Sequence, residues 1–382
     1  MTLPDELLEE IFLRLPPGEP ACLVRAYLAS KFWLGLLSGA RFHSRHREFH
    51  GAPPMLGFVY ALSSYTQPKV DKPIPRFVST TEFAARVPDD DLAMAALTTD
   101  YIALDCHHGR VLLGDRKHNP LVVWDPMAGC LTKMQALKGQ SRTSAAAVLC
   151  AVTGCDHCAC HHGPFQVFFF GMSVHGAQCV IHLSVFSSET LGWSEPQPCP
   201  GLDLDDAAFI KPAPSVAIQG ALYFMQGSFA DDHITGFLKY DLGSNCLSLI
   251  DAPPMRGSLI IGANTLMAME DDSLGFAQVK RLTIYLWSRH MGSDGVASWT
   301  QPRIIDLKNL LPIQNPSGRI KLIGSLEGSD IIFVTTDLGI YELNLKSLHW
   351  KKLWGKKDVW CLFPCMSFPG PQERMISCDA AH

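Results

Sequence analysis

The sequence is short of charge. Asp, Glu, Lys and Arg make up 18% of its 382 residues, against about a quarter in an average globular chain, and they leave a net charge of −5. That balance does not suit a protein whose main work is gripping a phosphate backbone. Long apolar runs are missing too: stretches such as Ala145–Val152 are far too short to cross a bilayer or act as a secretory signal, and no basic segment leads the chain. H-E-x-x-H, G-x-S-x-G, G-x-x-x-x-G-K-[ST] and G-x-G-x-x-G are all absent, which removes the commonest motif-borne catalytic and nucleotide-binding readings. Thirteen cysteines are odd in number and scattered, so a disulfide framework gives way to mostly reduced thiols in cytosol or nucleus. The expectation is a soluble intracellular protein with no membrane or nucleic-acid partner and no cofactor.

What is present divides near residue 50. With 47% hydrophobic residues the chain can bury a large core, consistent with one small domain and one large one. Leu7, Ile11 and Leu15 recur every four residues, Leu8 and Phe12 widen the stripe, and Glu6, Glu9 and Glu10 lie off it, the pattern of an amphipathic helix. Thr2 precedes Asp5 as a candidate capping box, Pro4 suits the first turn, and Pro16-Pro17 stop the helix. A second helical pattern runs through Leu23, Val24, Tyr27 and Leu28, and a third from Lys31 through Trp33, Leu34, Leu37 and Phe42. Three short helices cannot cover all that apolar surface on each other, which leaves some for a partner. His43, His46 and His50 sit at helical spacing among Arg41, Arg45 and Arg47, and are expected on a wet basic face, not around a metal.

The stretches Leu3-Pro4-Asp5-Glu6-Leu7-Leu8-Glu9-Glu10-Ile11, Arg14-Leu15-Pro16, Leu23-Val24-Arg25-Ala26, Lys31 with Trp33, and Arg41-Phe42 resemble an F-box. The resemblance implies docking on a Skp1-like adaptor, which links such proteins to a cullin and a RING subunit in a ubiquitin ligase. It implies that Leu3, Pro4, Leu7, Ile11, Leu15, Pro16, Leu23, Val24 and Trp33 form or support the docking face, with Lys31 at its edge. Where the family has Val-Cys this chain has Ala29-Ser30, a loss of bulk that weakens that packing without abolishing it.

Beyond residue 50 the apolar runs are short, β-branched and aromatic, and broken by turn residues: Val111–Leu113, Leu121–Trp124, Gln166–Phe170, Ala221–Phe224 and Ile331–Val334. A strand, a polar turn and a Trp or Leu opening the next strand recur, placing Trp193, Leu247, Trp299 and Trp350 at spacings of 54, 52 and 51 residues, with Leu131 in the same role 62 residues before Trp193. Such a period suits a β-propeller of about six blades, closed by pairing the Val59 region with Trp360–Phe363. No Gly-Gly doublet occurs and Trp124-Asp125 is the one Trp-Asp pair, which disfavours kelch and WD40 repeats. With its F-box, the chain resembles the grass-type plant F-box proteins that carry an F-box-associated, propeller-like region. The expected fold class is therefore α+β multidomain: an all-α F-box at 1–48, an all-β propeller-like substrate-binding domain at 49–370 and a tail at 371–382. A two-sheet all-β domain is the alternative.

Cys155, Cys158, Cys160 and His161, with Cys150 upstream, offer zinc-type ligands. Because they crowd into one segment with no second pair at a finger-like distance, a polar inter-strand loop without metal is the expectation. Asp89-Asp90-Asp91, Asp203 to Asp206 and Asp231-Asp232 read as solvated loops. Lys346, Lys351, Lys352, Lys356 and Lys357 among Trp350, Trp354 and Trp360 read as a strand with a basic solvent face. The functional expectation is a non-catalytic adaptor that holds Skp1 by its helices and a target protein by its propeller. A propeller interaction protein without Skp1 binding, or a propeller enzyme with a His/Asp/Tyr cluster at its channel, are the alternatives.

Overall fold

The computed structural model describes residues 3–366, except 16–19, 51–54, 63–76, 81–100, 116–119, 138–142, 229–232, 255–262, 293–295, 356–358 and the positions 127, 136, 156, 158, 159, 161, 162, 176, 177, 206, 212 and 301. Thr2, Pro16, Asp89–Asp91, Asp231-Asp232, Lys356, Lys357, Cys158 and His161 fall outside the described residues, as does the side chain of Val24.

Four helices precede the strands among the described residues: α1 Asp5–Leu13, α2 Pro20–Ala29, α3 Lys31–Leu37 and α4 Ala40–His50. The expected third helix is thus two. Ser38 and Gly39 close the last turn of α3 by donating to the Leu34 and Leu36 carbonyls, and Ala40 starts afresh. Leu8, Phe12, Leu13, Leu23, Ala26, Leu37 and Phe42 form a small shared core, in which Phe12 meets Trp33 edge to face at 5.2 Å. Glu9 is buried within it and is matched by Arg45 Nη1 at 2.5 Å and Arg41 Nε at 3.6 Å, which ties α1 to α4. His43 and His46 are also buried, correcting the wet basic face. Burial, then His50 and His43, pushes His46 down to about 4, so its ring is neutral at pH 7, and the His50 ring N–H donates to the Leu13 carbonyl at 2.7 Å.

The strands build six sheets. β1 Met55–Leu62 and β2 Phe77–Ser79 wait for the last strand of the chain. Blade one is β3 Tyr101–His107, β4 Arg110–Asp115, β5 Leu121–Asp125 and β6 Cys130–Lys133. Blade two is β7 Thr143–Cys150, β8 Phe165–His175, β9 Gln178–Ser187, β10 Gly192–Trp193 and β11 Gln197–Asp205. Blade three is β12 Ala208–Ile210, β13 Val216–Ile218, β14 Ala221–Ser228, β15 His233–Asp241 and β16 Cys246–Asp251. Blade four is β17 Asn264–Ala268, β18 Leu274–Lys280, β19 Thr283–Met291, β20 Ala297–Trp299 and β21 Arg303–Asp306. Blade five is β22 Lys321–Ser325, β23 Ile331–Thr336, β24 Gly339–Asn344 and β25 Trp350–Trp354, and β26 Val359–Met366 returns to pair with β1. That last pairing is antiparallel with Val59 opposite Phe363, the closure expected from the sequence.

Each neighbouring pair of blades shares one apolar layer, and the layers run in a circle back to blade one. This excludes the two-sheet alternative. It also explains the unbroken apolar runs: Val111 and Leu113 face the closing blade while Leu112 faces blade two, so successive side chains are buried on opposite faces of one strand. The tight turn at His108-Gly109, with φ of 53° and 77°, is the left-handed pair that a two-residue hairpin needs.

Candidate functional site

Leu3 lies just ahead of the α1 N-cap Pro4, and the spacing of four residues then sets Leu7 and Ile11 on successive turns of one helix face. Leu3, Leu7 and Ile11 are 52%, 51% and 49% exposed, and Phe32, at the start of α3, is 53% exposed. Pro4 and Lys31 are exposed as well. Leu15 and Trp33 pack partly buried against the helical core and Leu23 is inside it, so these three hold the face from behind and do not form it. Ser30, read from sequence as lost bulk, is the N-cap of α3: its Oγ accepts the Phe32 N–H at 3.2 Å.

The second polar constellation lies where the innermost strands converge on the propeller axis. Asp105 and His107 point from β3, Ser215 precedes β13 and Glu327 follows β22. Asp105 is fully buried and accepts the Val148 and Ser215 N–H groups at 3.0 and 3.1 Å and the Ser215 hydroxyl at 3.1 Å. His107 Nε2 meets Ser215 Oγ at 2.9 Å and its Nδ1 meets Glu327 Oε2 at 2.9 Å. Burial alone would lower the His107 pKa, but Asp105 and Glu327 override it and raise it to about 9. Burial likewise works against the Glu327 carboxylate, yet His107 holds it at about 2. His107 is therefore an imidazolium at neutral pH, donating from both nitrogens, and has no lone pair left for general-base work. The network ties blades one, two, three and five across the axis.

Beside it the Lys211 ammonium, lowered to about 8 by burial, donates to the Asn264 carbonyl at 3.3 Å. The cavity lined by His107, Lys211, Ser215, Asn264 and Glu327 measures about 60 Å³, well under the roughly 300 Å³ at which small-molecule sites begin. These residues are not among those expected from sequence, where only the following run Val111–Leu113 stands out as a strand. The available signal was Asp105 and His107 alternating along an otherwise apolar strand.

In the β7–β8 connection the structure gathers Cys150, Cys155, His157 and Cys160. Cys155 and Cys160 are among the ligands expected from sequence, Cys150 lies just upstream of them, and His157 belongs to the same Cys/His stretch. Near the C-terminus, Lys346 pairs with Glu270 at 2.8 Å, Lys351 pairs with Glu342 at 3.2 Å, and Lys352 lies over the Tyr341 ring. Among the described residues no helix is long and apolar enough to cross a membrane.

Six sheets in a closed ring, sealed by pairing of the first and last described strands, define a six-bladed β-propeller preceded by a small helical unit. No family model matches the sequence, and no curated protein matches it. Among solved structures, TolB from Acinetobacter baumannii aligns with a TM-score of 0.40 at 12% identity, over 88% of this chain and 73% of its own. The PQQ-bound aldose sugar dehydrogenase of Streptomyces coelicolor aligns at 0.37 and 12%, over 71% and 83%. A luciferin-regenerating enzyme aligns at 0.37 and 10%, over 69% and 76%. Likenesses this distant carry no inference about what this chain does.

Proposed function

We propose that the chain is the substrate-recognition adaptor of a Skp1-cullin-RING ubiquitin ligase, with α1 and the start of α3 docking on Skp1 and the propeller holding a target protein. The observation that carries this reading is the exposed apolar stripe of Leu7 and Ile11 on α1, with Leu3 just ahead of it and Phe32 at the start of α3, each about half exposed, while the other apolar side chains of these helices are spent on their own core. The F-box resemblance assigns the stripe to Skp1. The small cavity at the propeller axis, about 60 Å³, and the committed His107 favour a binding module over an enzyme, and the rate gain comes from holding target lysines near a charged ubiquitin carrier.

Co-purification of the full chain with Skp1 tests it. Burying the exposed half of each stripe residue contributes on the order of 1 kcal/mol, and a buried carboxylate costs more, so Leu7→Asp with Ile11→Asp weakens Skp1 binding by about 100-fold or more. Both sites are exposed, so the thermal midpoint stays put. A wild-type chain that ignores Skp1, or a double variant that still binds it, refutes the assignment.

A further inference from the structure

We propose that Cys150, Cys155, His157 and Cys160 form a structural zinc site that pins the β7–β8 connection beside the mouth of the propeller channel. The donor atoms of all four residues lie within 4.8 Å of one another. Zinc–sulfur bonds of about 2.3 Å and zinc–nitrogen bonds of about 2.0 Å place tetrahedral sulfurs about 3.8 Å apart and a sulfur and a nitrogen about 3.6 Å apart. Cys160 Sγ and His157 Nδ1 stand at 3.7 Å, so the set needs only a small contraction to close on a metal. Three thiolates with one imidazole is a set that soft, tetrahedral Zn²⁺ prefers over harder cations.

The backbone supports ligation. The Val152 N–H donates to Cys150 Sγ at 3.4 Å and the His157 N–H to Cys155 Sγ at 3.3 Å, the donors a thiolate wants. Gly154 and His157 take left-handed φ of 69° and 57°, which folds Cys155 and His157 back toward the strand end. Cys150 closes β7, so the site joins a sheet to a loop, although all four ligands fall within one stretch of sequence.

The surroundings fit the charge. Three thiolates and a neutral imidazole leave a zinc centre with a single net negative charge, the thiol protons going to solvent. Arg110, 1% exposed, donates to the carbonyls of Cys160 and Gly163 and sets a buried cation next to that anion. His108 accepts the Cys150 N–H on Nδ1 at 3.2 Å and stacks on the His157 ring at 3.9 Å, the kind of outer contact that orients a ligand ring. The hairpin carrying His108 also carries His107, so the metal would brace the rim of the network at the axis.

Full-length protein purified with reductant should carry about one equivalent of zinc by elemental analysis, which Cys150→Ser and Cys155→Ser remove and Cys246→Ser, on the exposed β16 edge, keeps. Should the ligand variants fail to fold, replacing zinc by cobalt in the wild-type protein decides: thiolate-to-cobalt charge transfer and tetrahedral d–d bands are expected, with a lower melting temperature after chelation. Folded wild-type protein that takes up neither metal, zinc that survives both ligand substitutions, or a disulfide among these cysteines under reductant overturns the site.

Discussion

His107 joins blades through two nitrogens, and its charge decides how firmly. Its pKa is raised from 6.5 to about 9, so its imidazolium stabilises the fold fully below pH 6.5 and that contribution fades as pH rises through about 9. Glu327, lowered from 4.5 to about 2, contributes above pH 4.5 and loses it as pH falls toward 2. The clamp is strongest between those limits. Each unit of displacement corresponds to about 1.4 kcal/mol, and a loss on the order of 1–3 kcal/mol is expected between pH 6.5 and about 9. Lys211 acts in the opposite sense, since the cost of burying its charge is relieved above its pKa of about 8. Comparison with His107→Gln separates the two: urea midpoints should fall with alkaline pH in the wild-type protein and stay flat or rise in the variant. Equal slopes would remove the imidazolium from the clamp.

At the scale of elements the helical unit rests on one buried carboxylate. Arg45 reaches both Glu9 and Glu10 from α4, and without it the buried Glu9 keeps only the longer contact to the exposed Arg41 at 3.6 Å, which leaves its charge poorly compensated. Arg45→Ala should therefore raise amide exchange in α1 about tenfold or more while leaving the blades protected, read by hydrogen-exchange mass spectrometry. Unchanged α1 protection would place its anchor elsewhere. The elements themselves were largely legible. Every β-branched or aromatic run expected as a strand is one, the run Ala145–Val152 is strand as far as Cys150, and Leu131, Trp193, Leu247, Trp299 and Trp350 all fall in the outermost described strands of blades one to five, because a residue at a sheet's outer edge repeats once per blade. The break at Ser38-Gly39 was hidden because Leu37 and Phe42 keep helical spacing across it. The axis network was hidden for a different reason: Asp105, Ser215 and Glu327 come from sequence positions over a hundred residues apart, and only closure of the ring makes them neighbours. In the Cys/His segment ligand types could be read, but which of several cysteines and histidines converge depends on the left-handed turns at Gly154 and His157.

At the scale of the whole molecule, closure separates this propeller from a linear repeat. An open array loses roughly one unit's share of stability when a terminal unit is removed. Here β26 is hydrogen-bonded to β1 and lends Cys361, Phe363 and Cys365 to the layer against blade one and Val359 and Leu362 to the layer against blade five. A chain ended before Val359 therefore loses two apolar layers together and exposes β1 as a bare edge, an invitation to aggregate. A single Leu362→Ala costs about 2–5 kcal/mol, comparable to much of a domain's net stability. The truncated chain is expected to lose its cooperative thermal transition and elute as aggregate in size exclusion, whereas Leu362→Ala should remain folded with a lowered midpoint. A truncated chain that melts cooperatively, with only a modest drop in temperature, would mean that the remaining blades stand without the ring.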